Sequence, residues 1–280
     1  MILVTGATGK IGRELVQMLV ESGQQVRAVT RDLADAGFAP GVELVHADPS
    51  EPATMEAALQ GVEAVFLNPA AMEDAAEELL ALAKRQGVRR AVLISAITVE
   101  YGGGYERFAA RFKATEDQVK ASGLDWTFLR AADFDANALI WASQIRGAGA
   151  VRGAYAEAAT ASIHHRDIAA VGALSLIGEG HAGKAYALTG PAPLSQREKV
   201  RLIGQAIGRD VPFHEITPEQ ARAAMIAHGA PADVPDRMLG YQAACLETPG
   251  PSTKVVETRL GRPGIPFSQW AAENAAAFRA

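Results

Sequence analysis

Met1-Ile-Leu-Val-Thr5, then Gly6-Ala-Thr-Gly9-Lys-Ile-Gly12, then Arg13–Ser22: this opening stretch decides the fold. The first five residues read as a short buried strand. In the third part Leu15, Val16, Leu19 and Val20 fall at the spacing of a helix with one apolar face. Three glycines join strand to helix. The first suits a tight turn, and the others let backbone approach a pyrophosphate that the helix's free N–H groups and dipole attract. A glycine pattern alone says little. Set between a strand and a helix, it predicts a dinucleotide site.

Outward from that turn the alternation continues. Gln25–Thr30, Val42–His46, Ala64–Leu67, Val88–Ser95 and Asp125–Arg130 read as strands. Ala53–Leu59, Met72–Gln86 and Phe108–Ser122 read as the helices between them. This order predicts an α/β chain with a Rossmann-type, doubly wound parallel sheet. Regularity falls from Phe134, so residues 1–133 are assigned to a dinucleotide-binding core. Residues 134–280 are assigned to an α+β substrate-binding part whose strands and helices return to the core. Within it Gly147–Gly153 reads as a surface loop, Asp167–Ile177 as an apolar helix, and Lys184–Thr189 and Val211–Ile216 as strands. Leu194–Ile207 is a helix entered through Ser195 as cap, and Thr217-Pro-Glu-Gln220 opens another with proline at its first position. Phe267–Ala280 reads as a closing amphipathic helix.

Composition narrows the partners. A net charge of -5 without a basic run disfavours nucleic acid. No apolar run is long enough to span a bilayer, and strand one begins at Met1, which leaves no room for a leader. The single Cys245 excludes an intrachain disulfide or a cysteine-based metal cluster and fits a reducing compartment. A cytoplasmic protein acting on a small molecule is expected, with Cys245 in the core and no metal. The oligomeric state, a homodimer included, stays open.

The end of the second strand separates the nicotinamide cofactors. NAD sites place a carboxylate there for the ribose 2′-hydroxyl, and NADP sites a group that accepts phosphate. Here Thr30 ends the strand and Arg31 follows, a guanidinium able to pair bidentately with a 2′-phosphate. NADP(H) is therefore favoured over NAD(H). A shift of one or two residues in register would instead make Asp32 a ribose-binding acid, and a solvated Arg31 is the plain alternative.

Together these residues resemble the NmrA-like branch of the atypical short-chain dehydrogenases/reductases. The resemblance rests on Thr5–Gly12, Thr30-Arg31-Asp32, His46-Ala-Asp48, Lys113-Ala-Thr-Glu116, Gly123–Arg130, Phe134-Asp-Ala-Asn137 and Ile163-His-His-Arg-Asp167. That family includes NAD(P)H-dependent quinone reductases, isoflavone-reductase-like enzymes, and regulators that bind the dinucleotide and a partner protein without turnover. The resemblance implies that Gly6, Thr8, Gly9, Lys10, Ile11 and Gly12 hold the pyrophosphate, Arg31 the 2′-phosphate and Asp48 the adenine. It implies that Asn68, Pro69 and Ala70 line the cofactor, that Ser95, Ala96 and Ile97 pass under the nicotinamide ribose, and that Ala131–Phe134, with Ala132, border the nicotinamide.

The superfamily's usual acid, a tyrosine four residues before a lysine, is absent: Ala109 precedes Lys113, and Glu116 precedes Lys120. Tyr101 and Tyr105 lie upstream, out of that register, beside Gly102-Gly-Gly104, from where either is a catalytic candidate able to swing over the nicotinamide. Lys113 is the remaining acid/base or ribose-binding candidate, with a helix-surface lysine paired to Glu116 or Asp117 as the alternative. Ser95 or Thr98 could offer a hydroxyl. Phe134, Trp141 and Tyr155 are either a substrate wall or core, and Asn137 either buttresses the nicotinamide loop or touches substrate. One of His164 and His165 is a candidate for the substrate side, with Asp167 as a helix cap. Without the tyrosine, a conjugated acceptor such as a quinone or enone is expected, because it stabilises the charge that hydride delivers. The rival expectation is a non-catalytic NADP(H)-sensing regulator.

Overall fold

The computed structural model describes residues 1–33, 37–38, 40–102 and 106–279. The strands begin with β1 (Ile2–Val4), β2 (Val26–Thr30), β3 (Val42–His46), β4 (Ala64–Leu67), β5 (Arg90–Ala96) and β6 (Asp125–Ala131). They continue with β7 (Val151–Gly153), β8 (Ala159–Thr160), β9 (Lys184–Leu188), β10 (Leu194–Ser195) and β11 (Phe213–Glu215). The helices are α1 (Lys10–Glu21), α2 (Pro69–Met72), α3 (Ala76–Arg85), α4 (Thr98–Tyr101), α5 (Glu106–Ala121) and α6 (Ala142–Ala148). After them come α7 (His165–Ile177), α8 (Gln196–Ile207), α9 (Pro218–Ala227), α10 (Asp233–Glu247), α11 (Val255–Leu260) and α12 (Phe267–Glu273).

Contacts divide the chain into two compact units. The first comprises Met1–Val99, Ala110–Ala131 and His165–Ala187; the second comprises Glu100–Ala109, Ala132–His164 and Leu188–Ala280. The main sheet runs β3-β2-β1-β4-β5-β6-β9. Its first six strands are parallel, in the order of a dinucleotide-binding Rossmann sheet. Every residue of β1 and β4 is buried, as expected of central parallel strands covered on both faces. Edge strand β3 is largely exposed, and its Glu43 is held by Arg27 of β2 at 3.0 Å. Leu3, Leu67, Leu80, Val119 and Phe128 share one core cluster, which joins strands to helices. The Arg90 guanidinium donates to the carbonyls of Leu176 (2.6 Å) and Gly178 (2.8 Å), satisfying the C-terminal end of α7.

In the second unit, β7 pairs with β11 in parallel and β8 with β10 antiparallel. Ile145, Val151, Phe213, Trp270 and Phe278 form its core. Both helix entries read from sequence are capping boxes: Ser195 with Glu198, and Thr217 with Gln220 behind Pro218.

Four local expectations need correction. Residues 147–153 are not a surface loop: α6 closes at a left-handed Gly149, and fully buried Val151 starts β7. The Met72–Gln86 helix is broken, because Glu73 adopts φ +49 and α3 starts only at Ala76. Residues 53–59 give a single 3-10 turn, Pro52–Met55. The closing helix stops at Glu273, and a 3-10 turn over Ala275–Phe278 carries Phe278 against Trp270. In the last three tertiary packing outweighs the local periodicity, while the three-residue strand at 151–153 is too short to show one.

Candidate functional site

The turn after β1 is built so that only glycine fits. Gly6 has φ +61, and a Cβ there would stand 2.6 Å from Asn68 Nδ2. A Cβ on Gly12 would come within 2.2 Å of the Gly6 carbonyl. The Gly9 amide donates to the Gly6 carbonyl at 3.1 Å, which closes the turn. Gly9 then caps α1 with no side chain over the helix end. The first-turn amides of α1 are thus open to an anion, beside exposed Thr8 and Lys10 and half-buried Ile11. A bare helix N-terminus reached through a cradle that a Cβ would fill suits a dinucleotide pyrophosphate. Asn68 is bonded into the same corner. Its amide donates to Thr5 Oγ1 (2.9 Å), and its Oδ1 accepts from the Ala70 amide (3.1 Å) at the start of α2, where Pro69 takes the first position.

At the end of β2 the buried Thr30 hydroxyl is closed on Asp32: it accepts from the Asp32 amide and donates to its carbonyl. Arg31 is 74% exposed, and its Nη1 lies 3.8 Å from Asp48 Oδ2. Asp48 is occupied locally. The Ser50 hydroxyl (2.7 Å) and amide (2.9 Å) both donate to Oδ1. These bonds, with Arg31 nearby, hold its carboxyl below the usual range.

The catalytic candidates separate. Lys113 Nζ donates to both oxygens of Asp117, at 2.7 and 2.5 Å, on the exposed side of α5. That is the surface pairing named as the alternative, and it lowers the Asp117 pKa. Glu116 goes the other way. Fully buried, it accepts from Arg130 Nε (2.9 Å) and Nη2 (2.7 Å), and from Ser95 Oγ (2.7 Å). The Ser95 hydroxyl is therefore committed to a carboxylate. Ala96 and Ile97 are buried beyond it, and the Ile97 amide donates to Ala131. Thr98 Oγ1 has no hydrogen-bond partner among the described residues. Tyr101 is half-exposed at the end of α4, and Tyr105 lies outside the described residues. The Glu116–Arg130 pair was not foreseen, although an arginine closing an otherwise apolar buried strand was its signal.

The second unit encloses a cavity of about 1030 Å³. Phe134, Asn137 and Trp141 line it, whereas Tyr155 packs with Ala154 and Leu239 at φ +57 and does not. Ala132 is buried and donates its amide to Leu188. The two histidines require correction. Neither lines the cavity: fully buried His164 has its Nε2 3.2 Å from Glu273, and His165 lies 3.6 Å from Glu14. Asp167 is not an N-cap either, because α7 already starts at His165.

The cavity also holds a polar group that sequence reasoning missed. Lys199 Nζ bonds Thr160 Oγ1 at 2.6 Å and lies 3.4 Å from Asp133 Oδ2, which also accepts from Thr160. Tyr241 stands with them. Burial first, then the Asp133 charge, pushes its phenol far above the ordinary value, and the same causes raise the Cys245 thiol. The signal lay in α8, where Gln196, Lys199, Val200 and Ile203 share the buried face.

Comparison with known proteins agrees with this architecture. The NAD(P)H-binding family matches residues 6–176. A (4-alkanoyl-5-oxo-2,5-dihydrofuran-3-yl)methyl phosphate reductase of Streptomyces griseus is 38% identical, over 99% of each chain. An NAD(P)H azoreductase of Xenophilus azovorans is 36% identical over 100% of each. Among solved structures, an NADPH-dependent quinone oxidoreductase of Escherichia coli complexed with NADPH superposes with a TM-score of 0.84. It is 25% identical, with 98% of this chain and 99% of that one covered. The chain belongs to the NAD(P)H-binding family and is an NAD(P)H-dependent reductase.

Proposed function

We propose that this reductase uses NADPH in preference to NADH and reduces a small, largely apolar acceptor with a conjugated π-system. The observation that carries the acceptor class is the state of the acid/base candidates. Lys113 is tied to Asp117, Ser95 to Glu116, and Ala109 stands where a tyrosine would activate a plain ketone. Bound nicotinamide supplies a hydride. An acceptor reduced without a strong protein acid must spread the arriving negative charge itself, as quinones, enones and azo groups do.

The names of the relatives support this reading. An oxo-dihydrofuran bearing an alkanoyl group, an azo compound and a quinone are all conjugated acceptors. In this chain the glycine turn would hold the pyrophosphate, Arg31 the 2′-phosphate and Asp48 the adenosine. Asn68–Ala70 and Ser95–Ile97 would shape the cofactor's ribose side. Phe134 and Trp141 would offer the acceptor an apolar wall, with Asn137 as a polar contact.

A panel tests it: NADPH consumption with a naphthoquinone, an acylated butenolide and an azo dye, against cyclohexanone and benzaldehyde. Turnover confined to the conjugated group is expected. Comparable rates with the plain carbonyls would overturn the assignment.

A further inference from the structure

The second unit's cavity has a cationic group separate from its Lys199 cluster. In β7 and β11 the alternation is plain: Val151 and Phe213 turn into the core, while Arg152 and His214 are exposed and line the cavity. Arg152 and His214 are register partners in this parallel pair, so both side chains leave the same face. Gln144 of α6 fixes the strand at that point: its amide group bonds both the Arg152 N–H (2.7 Å) and its carbonyl (3.4 Å).

A third group stands at the C-terminal end of α9. Gln220, Ala224 and His228 follow one another at four-residue spacing and line the cavity too. His228 donates Nδ1–H to the Ala224 carbonyl at 2.7 Å, so its Nε2 meets an anion as a donor in the imidazolium form, or accepts the proton of a hydrogen phosphate in the neutral one. Among the described residues no hydrogen bond or ion pair engages the Arg152 guanidinium or the His214 ring. The two carboxylates of the cavity wall are each engaged through one oxygen, Asp133 Oδ2 by Thr160 and Lys199 and Asp135 Oδ1 by Ser162. Among the described residues no acid forms an ion pair with Arg152.

We propose that Arg152, His214 and His228 form an anion subsite that receives a phosphate monoester carried by the substrate. A guanidinium fork and two imidazoles from three elements match a phosphate's several oxygens, while Phe134, Trp141, Met225 and Leu239 of the same cavity take the apolar part. The inference rests on the reading of this cavity as the acceptor site. It narrows the substrate to an amphiphile with a conjugated ring and an anionic tail.

Calorimetric titration tests it, using the NADP+-saturated protein so that the glycine turn is filled. The probes are phenyl phosphate and benzyl alcohol. Phenyl phosphate is expected to bind about tenfold more tightly or better, and Arg152→Gln and His214→Gln each to weaken it about fivefold or more. His228→Gln serves as the second-element variant. NADPH affinity, read separately by fluorescence, should stay unchanged in all three. Equal affinity for the two probes, or phenyl phosphate binding indifferent to Arg152→Gln, would overturn the subsite. So would phenyl phosphate binding seen only without NADP+, which would place it at the glycine turn. Failure of the conjugated-acceptor panel would instead overturn the function and leave this titration standing.

Discussion

Arg31 is the residue on which the choice of cofactor turns. It sits one position past β2 with its guanidinium exposed, and Asp48, 3.8 Å away, is already bonded to Ser50. Little has to be broken for it to meet a 2′-phosphate. Arg31→Ala is predicted to weaken NADPH binding by about 1.5–3 kcal/mol, the scale of a hydrogen bond to a charged group, and to leave NADH nearly unchanged. Parallel fluorescence titrations check this, and equal losses for both cofactors would contradict it. Residues of this kind were legible in sequence because their role follows from place in the chain: Gly6 and Gly12 from a strand–turn–helix, Arg31 from a strand end. The sequence leaves Lys113 free to pair with Glu116 or Asp117, and nothing local marks Glu116 as the buried carboxylate. Spacing alone puts both Glu116 and Asp117 within its reach and does not say which of them turns inward.

Two helices carry consequences of their own. In α5 only Glu116 and Val119 are buried, so the helix is anchored to the sheet by a carboxylate more than by an apolar face. Glu116→Ala would leave Arg130, 15% exposed, without the carboxylate that now neutralises it. A loss of about 3–5 kcal/mol is predicted, read as a lower urea midpoint. In α10, Tyr241 and Cys245 lie one turn apart with raised pKa values. Both keep protons in the folded chain that the unfolded chain releases at ordinary values, 10.0 and 9.0. Their contribution is therefore complete below pH 9.0 and is lost as pH rises above it. Urea midpoints measured up the alkaline limb should fall, and the double variant Tyr241→Phe, Cys245→Ala should flatten that fall. An identical slope in the variant would contradict it. Neither arrangement shows in a periodicity plot, because each depends on a partner from a distant strand or loop.

At the scale of the molecule, the first unit was readable and much of the second was not. The sheet declares itself through apolar runs punctuated by glycine and by helices of regular period, all local signals. The second unit is assembled from strands of two or three residues whose partners lie far along the chain. β7 pairs with β11 some sixty residues later, and the cavity gathers Asp133, Thr160, Lys199 and Tyr241 from four separate segments. Runs that short carry no usable alternation, which is why 147–153 reads as a loop and why the cavity's polar group stays hidden. Cofactor chemistry is consequently the legible half of this protein, and acceptor chemistry has to be measured. The most direct measurement follows the hydride itself. Protein is mixed with NADPH deuterated at the transferring C4 position and an acylated butenolide, and the product is read by mass spectrometry and NMR. One deuterium on the ring carbon β to the carbonyl is predicted. Deuterium on a carbonyl carbon, or none in any product while NADPH remains bound and unconsumed, would contradict the account.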